Sequence, residues 1–254
     1  MEHSMKINII TGGSRGLGRS MALHLALKGQ DSIITYHSKK EDAESVVKEI
    51  QALGRKAVAL QLDVAKANTF DTFVADVKKT LAETWSSDTF DHLVNNGGTG
   101  VGVSIAETSE AVFDEMMNIH VKGPYFLTQK LLPVMADGGR IINVSSGLAR
   151  FSFPTRAPYA IMKGAIEVFT RYLARELGER KITANTLAPG AIATDFGGGG
   201  TRDNPQVNAM IAGMTALGRA GLPDDIGALA AAMLSDDFRW VNGQRIEAAG
   251  GFML

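Results

Sequence analysis

Short apolar runs alternate with longer amphipathic ones from one end of the chain to the other, and this alternation constrains the fold more than any other feature. Extended segments are predicted at residues 6–10, 32–36, 57–61, 92–94, 140–144, 183–187 and 245–247, with helices beginning near Gly16, Glu41, Thr69, Ser109, Pro158 and Pro223. Runs such as 7–10 and 141–144 are apolar on both faces, as strands are when helices cover a parallel sheet on both sides. The fold class that follows is α/β: a single Rossmann-type doubly wound parallel sheet of about seven strands, with helices on both faces. No Pro/Ser-rich linker, charge block or 20–50-residue repeat divides residues 1–254, so one domain is expected.

Composition narrows the function. Lys and Arg total 26 against 27 Asp and Glu, so no summed field would draw the chain onto nucleic acid or anionic lipid. Cysteine is absent, which removes disulfides, thiolate nucleophiles and thiolate metal sites, and fits a reducing compartment. Met1 to Lys6 carries no apolar signal region, and no apolar stretch approaches the roughly 18 residues of a membrane span. A soluble, cytoplasmic protein with a small-molecule partner, and with neither nucleic acid nor membrane, is therefore expected. Glycine is in excess, 28 of 254 residues. Four glycines at 197–200 open a low-complexity segment, and a mobile substrate loop inserted at about 195–215 is the reading favoured over a plain surface excursion.

Gly12, Gly16 and Gly18 follow the first strand at once and open the first helix, in Thr11-Gly12-Gly13-Ser14-Arg15-Gly16-Leu17-Gly18. Glycine there lets backbone approach a pyrophosphate, which the helix N-terminus stabilises. A tight strand–helix turn would read the same way, but this one sits in an N-terminal βαβ unit, where a dinucleotide site is expected. Enzymes that prefer NAD place an acid about 20 residues further on, at the end of the second strand. Here that position reads Tyr36, His37, Ser38, Lys39, while Asp31 lies at the wrong end of the strand and Asp42 in the next helix. With Arg15, Ser38 and Lys39 able to contact a 2′-phosphate, NADP(H) is the cofactor predicted.

Tyr159 and Lys163 are four apart on a predicted helix and so share one face. Tyr36 and Lys40 repeat the spacing, but at a strand–loop junction where the face argument does not hold. What raises the first pair is Ser146, at the carboxyl end of the 140–144 strand, on the edge where a ligand of the glycine turn would lie. A free Tyr has a pKa of about 10; the ammonium and a cationic nicotinamide would favour phenolate, and reaching 7 needs ~4 kcal/mol.

With these residues assembled, nearly the whole chain resembles the short-chain dehydrogenase/reductase family. Residues 11–18 match its cofactor motif, Asn95-Asn96-Gly97-Gly98 its Asn-Asn-Ala-Gly, and Tyr159-Ala160-Ile161-Met162-Lys163 its catalytic Tyr-x-x-x-Lys, with Ser146 thirteen residues before Tyr159. Pro189, Gly190, Ile192 and Thr194 resemble the segment that holds the nicotinamide carboxamide, and Asp63 and Val64 the adenine contact. The resemblance implies a carbonyl/alcohol oxidoreductase in which Tyr159 protonates the substrate oxygen, Ser146 hydrogen-bonds it and Lys163 holds the ribose. It also implies a homotetramer or homodimer built on the helices at 109–135 and 158–178.

Two positions depart from the pattern. Gly97 replaces an Ala, and His120 takes the place of the fourth catalytic residue, an Asn. Either His120 relays protons, and titrates near its ordinary 6.5, or it is an inert helix residue. The other histidines, His3, His24, His37 and His92, lack metal spacing. Phe151, Phe153 and Phe196 suit an apolar ketone, and 3-oxoacyl-thioester reductases are the nearest analogy for substrate. A catalytically weak NADP(H)-binding sensor or scaffold is the alternative.

Overall fold

The computed structural model describes residues 5–254; residues 1–4, with His3 and most of the N-terminal stretch read above, lie outside it. Seven strands, β1 (Ile7–Ile10), β2 (Asp31–Tyr36), β3 (Ala57–Gln61), β4 (Phe90–Asn95), β5 (Met135–Val144), β6 (Thr183–Pro189) and β7 (Arg245–Ala248), form one sheet. Their order is 3-2-1-4-5-6-7 and every neighbouring pair is parallel. The chain therefore reverses direction across the sheet between β1 and β4, where a doubly wound fold opens its ligand crevice.

Consecutive apolar residues on the inner strands serve opposite faces. Ile9, Ile33, Leu93 and Ile141 pack with Phe70, Phe73 and Leu81 of α3 (Phe70–Trp85), Leu127 of α5 (Gly123–Leu131) and Leu173 of α6 (Ala157–Glu176). Their successors Ile10, Ile34, Val94 and Ile142 pack with Met21 and Leu25 of α1 (Gly16–Leu27), Val46 and Ile50 of α2 (Lys40–Ala52), and Ile226 of α9 (Pro223–Met233). Each such side chain contributes roughly 1.5–3 kcal/mol on burial, so both faces hold the register. On the second face α1 and α9 touch closely: a Cβ on Gly227 would come within 2.3 Å of Ser20 Oγ, and that hydroxyl donates to Asp224 at 2.7 Å.

The structure corrects three boundaries. β5 begins at Met135 rather than 140; within it Gly138 has φ +78°, the pairing shifts register between Phe90 and His92, and a Cβ on Gly139 would meet the Asp91 carbonyl at 2.3 Å. The helix expected from 109 is α4 (Glu110–Met117), a single π turn (Asn118–Lys122) and then α5. The segment at 195–215 is largely helical, with α7 (Gly200–Asp203) followed by α8 (Pro205–Gly213), the latter capped by the Asn204 side chain on the backbone N–H groups of Gln206 and Val207. Among the described residues no helix is long and apolar enough to cross a membrane.

Candidate active site

The turn after β1 is a cradle built by contacts a side chain would forbid. A Cβ on Gly18 would lie 2.2 Å from the Gly12 carbonyl oxygen, and Gly12 itself has φ +65°. Gly13, which sequence reasoning passed over, is fixed equally tightly, since its Cβ would meet the Ile34 Cβ at 2.7 Å. Thr11 Oγ accepts from the backbone N–H groups of Asn96 and Gly97 at 2.9 and 2.8 Å. Asn96 Nδ2 in turn donates to the Thr11 and Gly12 carbonyls at 2.9 and 3.3 Å. The loop after β4 thus ties the glycine turn in place.

From there a cleft of about 450 Å³ opens, lined by Ser14, Arg15, His37, Ser38 and Lys39 and, on its far side, by Asp195, Gly198, Gly199 and Arg202. His37 lies 3.5 Å from Asp63, and Val64 packs against Gly97. Pro189 ends β6; beyond it Gly190 N–H donates to the Ala248 carbonyl at 3.0 Å, Ile192 bridges to Gly221, and Thr194 returns to within 3.8 Å of the position a Gly16 Cβ would take. Two residues expected at a cofactor turn their side chains elsewhere. The Tyr36 ring is buried against α1 and α2. Asn95 Nδ2 donates to Thr128 and Asn143 beneath the sheet edge, at 3.0 and 2.8 Å.

Ser146, Tyr159, Lys163 and His120 do come together. Ser146 follows β5, and its Oγ accepts from Leu148 N–H at 3.2 Å. Tyr159 is buried near the start of α6. One turn on, Lys163 Nζ donates to the Val144 carbonyl at 2.9 Å and lies 5.4 Å from the Tyr159 ring centre. Burial pulls the ammonium down to about 7. The same burial holds the Tyr159 phenol well above its ordinary value, while a hydrogen bond with Ser146 lowers it. Burial outweighs the Ser146 hydrogen bond, so the phenol stays protonated.

The π turn aims His120 into this group. Its ring stands edge-on to Tyr159, centres 5.1 Å apart, and fills the space over Gly98, whose Cβ would come within 2.6 Å of Cε1. Nε2 lies 2.7 Å from the Thr99 carbonyl, so the proton sits on Nε2. That leaves Nδ1 as a buried lone pair with no partner. Burial first, and the Lys163 charge second, push His120 down to about 3. That lies well below the 6.5 expected of a relay.

Other residues support the site without a signal in the motifs. Glu167, four residues past Lys163, accepts from Ser145 Oγ and Arg245 Nε, both at 2.7 Å, and Arg245 Nη2 reaches the Ser146 carbonyl at 3.3 Å. Thr170 Oγ accepts from Asn143 at 2.9 Å and Thr186 at 3.0 Å while donating to the Ile166 carbonyl, which fills its hydrogen-bonding capacity and pins α6 to the sheet. Phe196, at the start of the inserted segment, packs on Tyr159 with ring centres 5.6 Å apart. Phe151 and Phe153 instead gather around Phe252, with Ile211 of α8 in the same cluster. Among the described residues no three metal-ligating side chains assemble.

A family model described as enoyl-(acyl carrier protein) reductase matches residues 12–253. The tetrahydroxynaphthalene reductase of Pestalotiopsis fici is 35% identical, covering 97% of this chain and 91% of its own length. The promiscuous reductase LugOII, which catalyses keto-reduction at C1 during lugdunomycin biosynthesis, superposes with a TM-score of 0.93 at 33% identity, covering 98% of both chains. The landomycin C-6 ketoreductase LanV, solved with bound NADP and rabelomycin, gives 0.89 at 33% identity over 98% of this chain and 96% of its own.

Proposed function

Because the chain belongs to the short-chain dehydrogenase/reductase family, we propose that it is an NADP(H)-dependent carbonyl reductase, or alcohol dehydrogenase in reverse, acting through Ser146, Tyr159 and Lys163. The glycine cradle fits a pyrophosphate. The cleft beside it offers Ser14, Arg15, Ser38 and Lys39 to a 2′-phosphate, with no acid at the end of β2 to bind the ribose of NAD. When bound, the cofactor supplies the hydride.

The protein's own part is proton and charge handling. Tyr159, protonated at neutral pH and held more firmly so by burial, donates to the carbonyl oxygen. Ser146, hydrogen-bonded to Tyr159 in the free site, turns its hydroxyl proton to the same oxygen when a carbonyl is bound. Lys163, poised near 7, holds the ribose and favours the phenolate left behind. His120, fixed by its Nε2–H to the Thr99 carbonyl, packs edge-on against Tyr159 and presents an unprotonated Nδ1 beside this pair.

The observation that carries the reading is the geometry: Tyr159 hydrogen-bonded to Ser146, its ring centre 5.4 Å from Lys163 Nζ, on the sheet edge that bears the glycine cradle. Nothing favours the sensor or scaffold alternative. Phe196 over Tyr159 supports an apolar ketone, and the relatives' names add aromatic ketones to 3-oxoacyl thioesters as candidates. The inserted segment acts as the substrate lid. Exposed Tyr125 and Phe126 on α5, with Ile161, Val168 and Tyr172 on α6, support a homotetramer or homodimer, and the cysteine-free sequence a cytoplasmic setting. Cofactor oxidation at 340 nm over a panel of such ketones tests the proposal. A clear preference for NADPH over NADH is expected, and equal kcat/KM for the two would contradict the cofactor assignment.

A further inference from the structure

The inserted segment contributes more than apolar surface over the substrate. Three successive glycines, Gly197, Gly198 and Gly199, all adopt left-handed φ, at +62°, +83° and +78°. They fold the chain back so that Arg202, on α7, faces the cleft formed by the glycine turn and the end of β2. Asp203 grips one edge of the Arg202 guanidinium, through Nε at 2.7 Å and Nη2 at 2.8 Å. That leaves Nη1 to point across the cleft, where it pairs with Asp195. The other oxygen of the same carboxylate accepts from Arg15 Nη1 at 3.0 Å. One carboxylate thus bridges an arginine of the cofactor turn and an arginine of the substrate segment. The cleft is lined by three cations, Arg15, Lys39 and Arg202, one acid, Asp195, and two hydroxyls, Ser14 and Ser38, with Asp203 paired to Arg202 behind it.

A carboxylate between two guanidinium groups occupies the kind of place a phosphate monoester fills with more charge and more acceptor oxygens. We propose that Arg202 is a specificity-determining residue for the cofactor: it binds the 2′-phosphate from above, opposite Arg15, Ser38 and Lys39, in exchange for Asp195. This rests on the NADP(H) reading and extends it to a segment assigned so far only to the substrate. The consequence is a coupling. A cofactor with the 2′-phosphate ties α7, and with it Phe196 over Tyr159, to the nucleotide site, whereas one without it leaves the segment held by Asp195 alone.

The test uses the intact protein and a fragment that carries the phosphate without the nicotinamide. Calorimetric titration compares adenosine 2′,5′-bisphosphate with adenosine 5′-monophosphate for the parent, Arg202→Gln, Asp195→Asn and the remote charge control Arg171→Gln. Arg202→Gln is expected to weaken the bisphosphate about tenfold and leave the monophosphate unchanged, with Arg171→Gln matching the parent. Asp195→Asn, which removes the competing carboxylate, is expected to tighten the bisphosphate. In parallel, trypsin cleavage after Arg202 in the parent should be slowed by the bisphosphate and not by the monophosphate. If the parent prefers the bisphosphate yet Arg202→Gln binds it as well as the parent does, the Arg202 assignment falls and the cofactor assignment stands. A parent that binds both fragments equally overturns both.

Discussion

His120 is neutral because burial removes its ring from water with only a carbonyl for a partner, and the nearby Lys163 charge opposes a second proton. Its place depends on Gly98 as much as on its own helix. Gly98→Ala puts a methyl 2.6 Å from Cε1 and should destabilise the protein by about 1–3 kcal/mol, whereas in a His120→Asn background most of that penalty should vanish. Denaturant titration of the four proteins checks this, and additive penalties would show that the ring does not occupy that space. Spacing made Tyr159 and Lys163 legible, the strand end added Ser146, and the family resemblance added His120. The charge states were not, because they follow from burial, which a linear pattern does not contain: Tyr159 is held protonated and His120 unprotonated by the same dry surroundings.

At the scale of elements, the strands could be read from their paired apolar residues, since Ile9-Ile10, Ile33-Ile34, Leu93-Val94 and Ile141-Ile142 each supply one side chain to each face. What escaped was structure made by exceptions to periodicity. The left-handed Gly138 and the register shift opposite it hid the start of β5, and the π turn at Asn118–Lys122 hid the break between α4 and α5. Also hidden was the strap joining α6 to β7 under the Ser146 turn, because its partners Ser145, Glu167 and Arg245 meet only in three dimensions. Glu167→Ala leaves a buried hydroxyl and a guanidinium short of their acceptor. A stability loss of about 1–3 kcal/mol is expected, with kcat lowered several-fold and the dissociation constant for NADPH unchanged. Loss of nucleotide binding instead would place Glu167 in the cofactor site.

Over the whole molecule, two buried neutral histidines make acid the protein's weak direction. His92, on β4 beside Asn8 of β1, and His120, against Tyr159, are both pulled down to about 3 by burial in the folded chain, against about 6.5 unfolded. The unfolded chain therefore binds more protons between those values, and stability falls as pH drops from 6.5 towards 3, by up to about 1.4 kcal/mol per pH unit for each ring. His120→Asn should remove about half of that slope between pH 6.5 and 4.5 in pH-resolved denaturation, and an unchanged slope would mean that His120 is not held neutral. The doubly wound sheet brings the glycine cradle, the Ser146 turn and the start of α6 to one edge, so nucleotide binding and proton donation are separable parts of one crevice. Tyr159→Phe separates them most directly, with NADPH oxidation in the presence of a reducible ketone and NADPH affinity measured on the same protein. Turnover should be abolished while affinity stays within a few-fold of the parent; a variant that still reduces the ketone at a substantial rate would contradict Tyr159 as the proton donor.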